Sequence, residues 1–128
     1  MDLLKGCLCV GLGGFAGAVL RFLISSLPIK TYFPFQTLVI NILAAVMIGF
    51  FTGLFSQGTG MNVNIHRFLT TGVCGGFSTF STFSSELVTL YKGGHMIMAV
   101  AYGVLSVVLC VAGVVLGELL ATLIFKKA

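Results

Sequence analysis

Apolar residues run along this chain in four long blocks, residues 3–27, 35–55, 68–91 and 96–125, and polar residues gather mainly in the short gaps between them. A membrane-spanning helix needs about 20 consecutive apolar residues, and each block supplies them. Pro28, Lys30 and Pro34 mark the first connection, the Gly and Asn residues between 57 and 67 the second, and Lys92, Gly93 and Gly94 a tight third. The pattern predicts an all-α membrane protein with four transmembrane helices in one domain covering residues 1–128. A cleaved leader is a rival reading of the first block. No small-residue cleavage site precedes a mature domain, however, and the later blocks are as apolar as the first, so we expect a span.

The third block departs from the other three. Residues 72–86 read GVCGGFSTFSTFSSE, with two adjacent glycines and, from 78 to 85, a hydroxyl at every position except Phe80 and Phe83. The bilayer interior penalises unsatisfied polar groups and irregular backbone, so such a stretch is tolerated only where it is buried in protein or lines a cavity. We therefore expect the third helix to be broken near Gly75 to Ser78, beside a pathway for an ion or solute. Thr79, Thr82 and Glu86 fall at i, i+3 and i+7 and are expected to share a face, with Phe80 and Phe83 as a neighbouring aromatic stripe. Lipid or core contact is the plain explanation of the two rings taken alone, and Ser and Thr can bond back to their own helix. Their concentration around a Gly-Gly pair argues for more. Elsewhere in the spans, Asn41 carries an amide that both donates and accepts, and Tyr102 and Ser106 lie one turn apart on the last block.

Glycine spacing bears on how the helices meet. Gly13 and Gly17, Gly49 and Gly53, Gly72 and Gly76, and Gly113 and Gly117 are each four apart, giving every block a face on which backbones can approach closely. Four helices enclose little room by themselves, so a pathway between subunits is the natural arrangement.

Composition agrees with the membrane assignment, since 58% of residues are hydrophobic and 8% charged, against about 25% charged in soluble domains. Charge also bears on orientation, because positive residues in short loops mark the cytoplasmic side. With four crossings, Lys5, Arg67, Lys126 and Lys127 share one side, and Lys30 and Lys92 the other, with Arg21 near it. So slight a bias suits a chain that inserts in both orientations and pairs antiparallel, giving the inverted symmetry that larger transporters obtain from internal repeats. It equally suits one orientation fixed by one or two charges.

Candidate chemistry of other kinds is sparse. Cys7, Cys9, Cys74 and Cys110 fall within the blocks without the spacing or companion histidines of a zinc site, and read as small packing residues. His66 and His95 fall in expected loops beside basic residues, as solvated surface. Ser, His and acidic residues are too scattered for a catalytic triad, so an enzyme is not expected.

At the residues singled out above, the chain resembles the fluoride channel family known as Fluc or CrcB. The resemblance rests on GGFAGAVLR at 13–21, NILAAVMIG at 41–49 and above all GGFSTFSTF at 75–83, in the same order and over all four blocks. It implies an antiparallel, dual-topology homodimer in the bacterial cell membrane, with lipid around it, two anion pores, and a structural sodium ion at the dimer interface. It also implies passive export of fluoride that has entered as the neutral acid and ionised inside, with no nucleic-acid partner. By position, Gly75 and Ser78 are implied to give backbone carbonyls to the sodium, Phe80 and Phe83 to be pore rings, and Asn41 to contact the anion. Ser81 and Thr82 are implied members of a hydroxyl track, Glu86 lies near one pore mouth, and Tyr102 and Ser106 are pore-side on the last helix. Ser78 stands where Thr is common, a change to which a carbonyl ligand is indifferent. Phe22 stands where a Tyr often follows the arginine, and Cys110, one turn after Ser106, stands in for a hydroxyl.

The residue chemistry suits a small, hard anion on its own terms. A dry pore must replace the water around fluoride with donors, and Asn amides and Ser and Thr hydroxyls do so without a cation that would trap the ion. Aromatic rings have positive edges that an anion can meet while water is excluded. A dual-topology small multidrug transporter fits the same length and span count, but it needs a carboxylate in the first span, and residues 3–27 contain none. A structural membrane scaffold, with glycines serving packing alone, is the remaining alternative.

Overall fold

The computed structural model describes residues 1–125, and these are helical with short connections; Lys126 and Lys127, which weigh in the charge balance, lie outside the described residues. Helix α1 spans Asp2–Ser25, α2 Phe35–Ser56 and α6 Met96–Phe125, and these three are long and apolar enough to cross a membrane. The bounds of α1 and α2 and the start of α6 fall within two residues of the apolar blocks. The chain leaves α1 just before Pro28, whose ring disfavours helical geometry in the residue ahead of it. Gln36, at the start of α2, donates from Nε2 to the Ile24 and Leu27 carbonyls at 3.2 and 3.0 Å, tying the two helix ends together.

The third block is not one helix. Helix α3, Val63–Arg67, begins inside what the sequence pattern reads as a connection, because the Asn62 side chain accepts from the Asn64 N–H at 2.8 Å and caps it. A π-helical segment, Phe68–Cys74, follows, then the single turn α4, Gly75–Phe77. Ser78 (φ −71°, ψ 158°) and Thr79 (φ −150°, ψ 113°) are extended, and α5 resumes over Phe80–Lys92. It ends at Lys92, and the chain turns away at Gly94, whose φ of +80° suits glycine, with His95 N–H bonded to Leu90 O and Gly94 N–H to Tyr91 O.

Two backbone-to-backbone contacts hold the bundle together, and the spaced glycines make both. On α1, a Cβ at Gly13 would lie 2.9 Å from Gly72 Cα, and one at Gly17 only 2.7 Å from Phe77 N. Between α2 and α6, a Cβ at Gly49 would lie 2.9 Å from Val114 Cα, and one at Gly117 2.6 Å from Phe50 N. No real side chain fits at such separations, so the helices pack where glycine lets them. The side-chain core is small, with one cluster of Leu38, Phe83, Leu90, Ala99 and Tyr102 and another of Ile40, Ala44 and Phe77. Leu8, Leu12 and Phe15 on α1 and Val104, Val108 and Val111 on α6 remain exposed, an apolar exterior suited to lipid tails.

The early start of α3 corrects the expectation for His66, which lies on a helix rather than in a solvated loop. Its ring stacks on Phe55 with centroids 4.3 Å apart, and its Nε2 is buried without a hydrogen-bond partner. His95 sits at the exposed α5–α6 turn, beside Tyr32. All four cysteines are free thiols, with Cys74 buried.

Candidate functional site

Asn41 and Thr79 are 38 residues apart and joined twice. The Asn41 Oδ1 accepts from the Thr79 N–H at 2.8 Å, and its Nδ2 donates to the Thr79 carbonyl at 3.2 Å. The Thr79 hydroxyl serves the next turn, accepting from the Thr82 N–H at 3.2 Å and donating to Thr82 Oγ1 at 3.0 Å. Thr79 is thus the N-cap of α5, not a member of the helical face expected for Thr79, Thr82 and Glu86.

These bonds decide the state of two carbonyls. In a continuous helix the Thr79 N–H would bond to Gly75 O, and the Thr82 N–H to Ser78 O. The first donor is taken by Asn41 and the second by the Thr79 hydroxyl, so the Gly75 and Ser78 carbonyls are released from helical pairing. Freed carbonyls are ligands for a hard cation, and the donor set at Gly75 and Ser78 fits sodium in kind. Gly75 is also open, since a Cβ there would meet nothing closer than Thr70 O at 3.9 Å, whereas one at Gly76 would lie 2.9 Å from Gly14 Cα. Packing within the chain explains the second glycine of the pair and not the first.

An open cavity of about 340 Å³ lies beside the interruption between α4 and α5, lined from α2 by Asn41, Ala44, Ala45 and Ile48 and from α6 by Ser106, Val107, Cys110 and Val114. Cys74, Gly75, Ser78, Thr79, Phe80 and Phe83 complete it, and no charged side chain is among its lining residues. Ser106 is only 6% exposed and its Oγ has no hydrogen-bond partner, a donor in the cavity wall left without an acceptor.

The two phenylalanines differ. Their ring centroids are 5.5 Å apart, but Phe83 is 8% exposed and packs on Tyr102, while Phe80 is 79% exposed and projects from the chain. Past Phe83 lies a second polar group. Thr37 Oγ1 donates to Glu86 Oε1 at 2.8 Å and Tyr102 OH to Glu86 Oε2 at 2.7 Å, so α2, α5 and α6 meet at one carboxylate. Glu86 and Tyr102 do not line the cavity, and neither do Ser81 and Thr82, which are exposed on α5. Thr37 escaped the sequence reading, although it stands one turn before Asn41, a second polar residue at helical spacing in an apolar span.

Residues 8–118 match the family model described as CrcB-like protein, Camphor Resistance (CrcB). Three curated relatives, each named fluoride-specific ion channel FluC, align over most of their length. The protein of Ruminiclostridium cellulolyticum is 49% identical over 88% of both chains. That of Elusimicrobium minutum is 44% identical over 91% of this chain and 94% of its own. That of Clostridium perfringens strain 13 is 41% identical over 98% of this chain and its whole length. With the family model matched over most of the sequence and relatives this similar end to end, the chain belongs to the CrcB family of multi-pass membrane proteins.

Proposed function

We propose that this chain is a fluoride-selective channel, which lets fluoride leave the cytoplasm passively and so limits its toxicity, and that it works as an antiparallel homodimer with two pores. The observation that carries the reading is the uncharged cavity at the interruption, where an amide, a buried unpartnered hydroxyl and two aromatic rings meet. Such a site offers an anion donors without a fixed cation that would hold it. The relatives' name supplies the ion.

In this reading the Ser106 hydroxyl and the second Nδ2 hydrogen of Asn41, the first being given to Thr79, replace water around fluoride. Phe80 and Phe83 turn ring edges to it and keep water out. Ser81 and Thr82, exposed on one chain, extend the hydroxyl track where two copies meet, and Tyr102 and Glu86 stand toward a pore mouth. Segments α3 to α5 make the third crossing as one interrupted helix. Exposed hydroxyls and backbone at that depth call for cover from protein rather than lipid, which favours a second copy. At the dimer axis, Gly75 and Ser78 of both copies hold sodium through their carbonyls. When bound, the cation supplies positive charge that lowers the cost of an anion inside the membrane.

The test is fluoride efflux from liposomes of the purified protein, followed with a fluoride electrode after a potassium ionophore removes the counter-charge limit. Fast fluoride loss without a proton gradient, with chloride retained, is the expected result. Retention of fluoride, or flux only with a proton gradient, refutes the reading.

A further inference from the structure

We propose that Asn41 is the positioning residue that keeps the interruption between α4 and α5 open, by taking the Thr79 N–H that would otherwise return to the Gly75 carbonyl. The argument starts from the shape of an amide. The side chain of Asn presents an acceptor and a donor side by side, in the arrangement of a peptide group. In an extended residue the N–H and C=O point to the same side, as in the hydrogen-bonded pairs of an antiparallel sheet, so one amide can meet both. In a helical residue they point to opposite ends of the axis, and one amide cannot.

Thr79 has the extended geometry this match requires, with φ −150° and ψ 113°, and both of its backbone groups are met by Asn41, at 2.8 and 3.2 Å. The pairing has no ready substitute, because Thr79 is 7% exposed and water has little access. The helix just upstream is intact, since Ser78 N–H still bonds to Cys74 O at 2.9 Å. The Thr79 N–H is therefore the first backbone donor to leave the helical series, and Asn41 is where it goes. Without the amide, the available partner is Gly75 O, and restoring that bond rewinds the turn and withdraws the carbonyl. For conduction this inference rests on the channel reading above: Asn41 then acts on the cation through the backbone, besides any contact it makes with the anion.

Solid-state NMR in lipid bilayers tests it directly. With serine labelled at the carbonyl carbon and threonine at nitrogen, only the Ser78–Thr79 and Ser81–Thr82 peptides give carbon–nitrogen correlations in this sequence. Asn41→Ala should move the Thr79 correlation well beyond its linewidth and leave one helical Thr82 signal. Asn41→Asp, which keeps the acceptor for the Thr79 N–H, should hold it near its wild-type position, and also serves should the alanine variant not fold. A Thr79 signal that stays in place in Asn41→Ala overturns the inference, as does a displacement of the same size in Asn41→Asp. Retention of radioactive sodium by the same samples should be about tenfold weaker in Asn41→Ala, the scale of one lost hydrogen bond, and closer to wild type in Asn41→Asp. The NMR result in the variants, together with wild-type protein that passes no fluoride, would sink the channel reading and leave the positioning role standing.

Discussion

Phe80 and Phe83 lie three positions apart yet meet opposite surroundings, and substitutions should separate them. Phe83 is packed on Tyr102, with ring centroids 5.1 Å apart, and sits in the core cluster with Leu38 and Leu90. Phe83→Ile should cost about 1 kcal/mol or more in packing and edge contact, seen as a lower thermal midpoint in detergent. Phe80 makes little use of its own chain, so Phe80→Ile should leave that midpoint nearly unchanged while fluoride efflux collapses. Full efflux in Phe80→Ile would demote the ring to surface contact. The sequence made the pair visible and its asymmetry invisible, since which ring turns inward depends on where Thr79 starts the helix. Asn41 and Thr37 teach the same lesson. A polar residue in an apolar span is legible as a site, but its partner, 38 positions away at Thr79 or 49 at Glu86, is set by helix packing and not by spacing.

Among the elements, legibility follows regularity. Helix α6 starts at Met96, where its apolar block starts, and runs unbroken to Phe125, the last described residue, because nothing inside it competes with helical hydrogen bonding. The four glycine pairs are equally readable: Gly13, Gly17, Gly72 and Gly76 make the backbone contacts between α1 and the π-helical segment with α4, and Gly49 and Gly117 those between α2 and α6. The π-helical segment Phe68–Cys74 left no such signal. It lies against α1 at Gly13 and Gly72, and apolar periodicity does not distinguish a wider turn from an ordinary one. The Gly-Gly pair offers a test at this scale, because its members differ in surroundings and not in type. At Gly76 a methyl group would strike the Gly14 backbone, so Gly76→Ala should drive α1 away from the interrupted segment and lower the thermal midpoint sharply. Gly75→Ala has room within the chain and should leave the isolated fold intact. Loss of sodium retention or efflux in Gly75→Ala then reports what lies outside the chain at that point. Equal destabilisation by the two changes would refute the distinction.

At the scale of the whole molecule, the unresolved choice left by the sequence is orientation. Lys5, Arg67, Lys126 and Lys127 stand against Lys30 and Lys92, with Arg21 near them, and so slight a bias gives the insertion machinery little to act on. The surface adds a physical reason for pairing. Lipid suits the apolar faces of α1 and α6, but it does not suit the exposed hydroxyls of Ser81 and Thr82, the projecting Phe80 ring, or the released carbonyls of Gly75 and Ser78. In the proposed dimer a second copy would cover these groups, and an inverted copy would bring the same interruption to the same depth from the other side. If both orientations insert, a cysteine added at the N-terminus of a variant lacking Cys7, Cys9, Cys74 and Cys110 should react with an impermeant thiol reagent in about half of the molecules in sealed vesicles, and in the remainder once the vesicles are opened. Nearly complete or nearly absent labelling before opening would fix a single orientation. The antiparallel dimer would then have to be abandoned, and the hydroxyls of α5 would need a different cover.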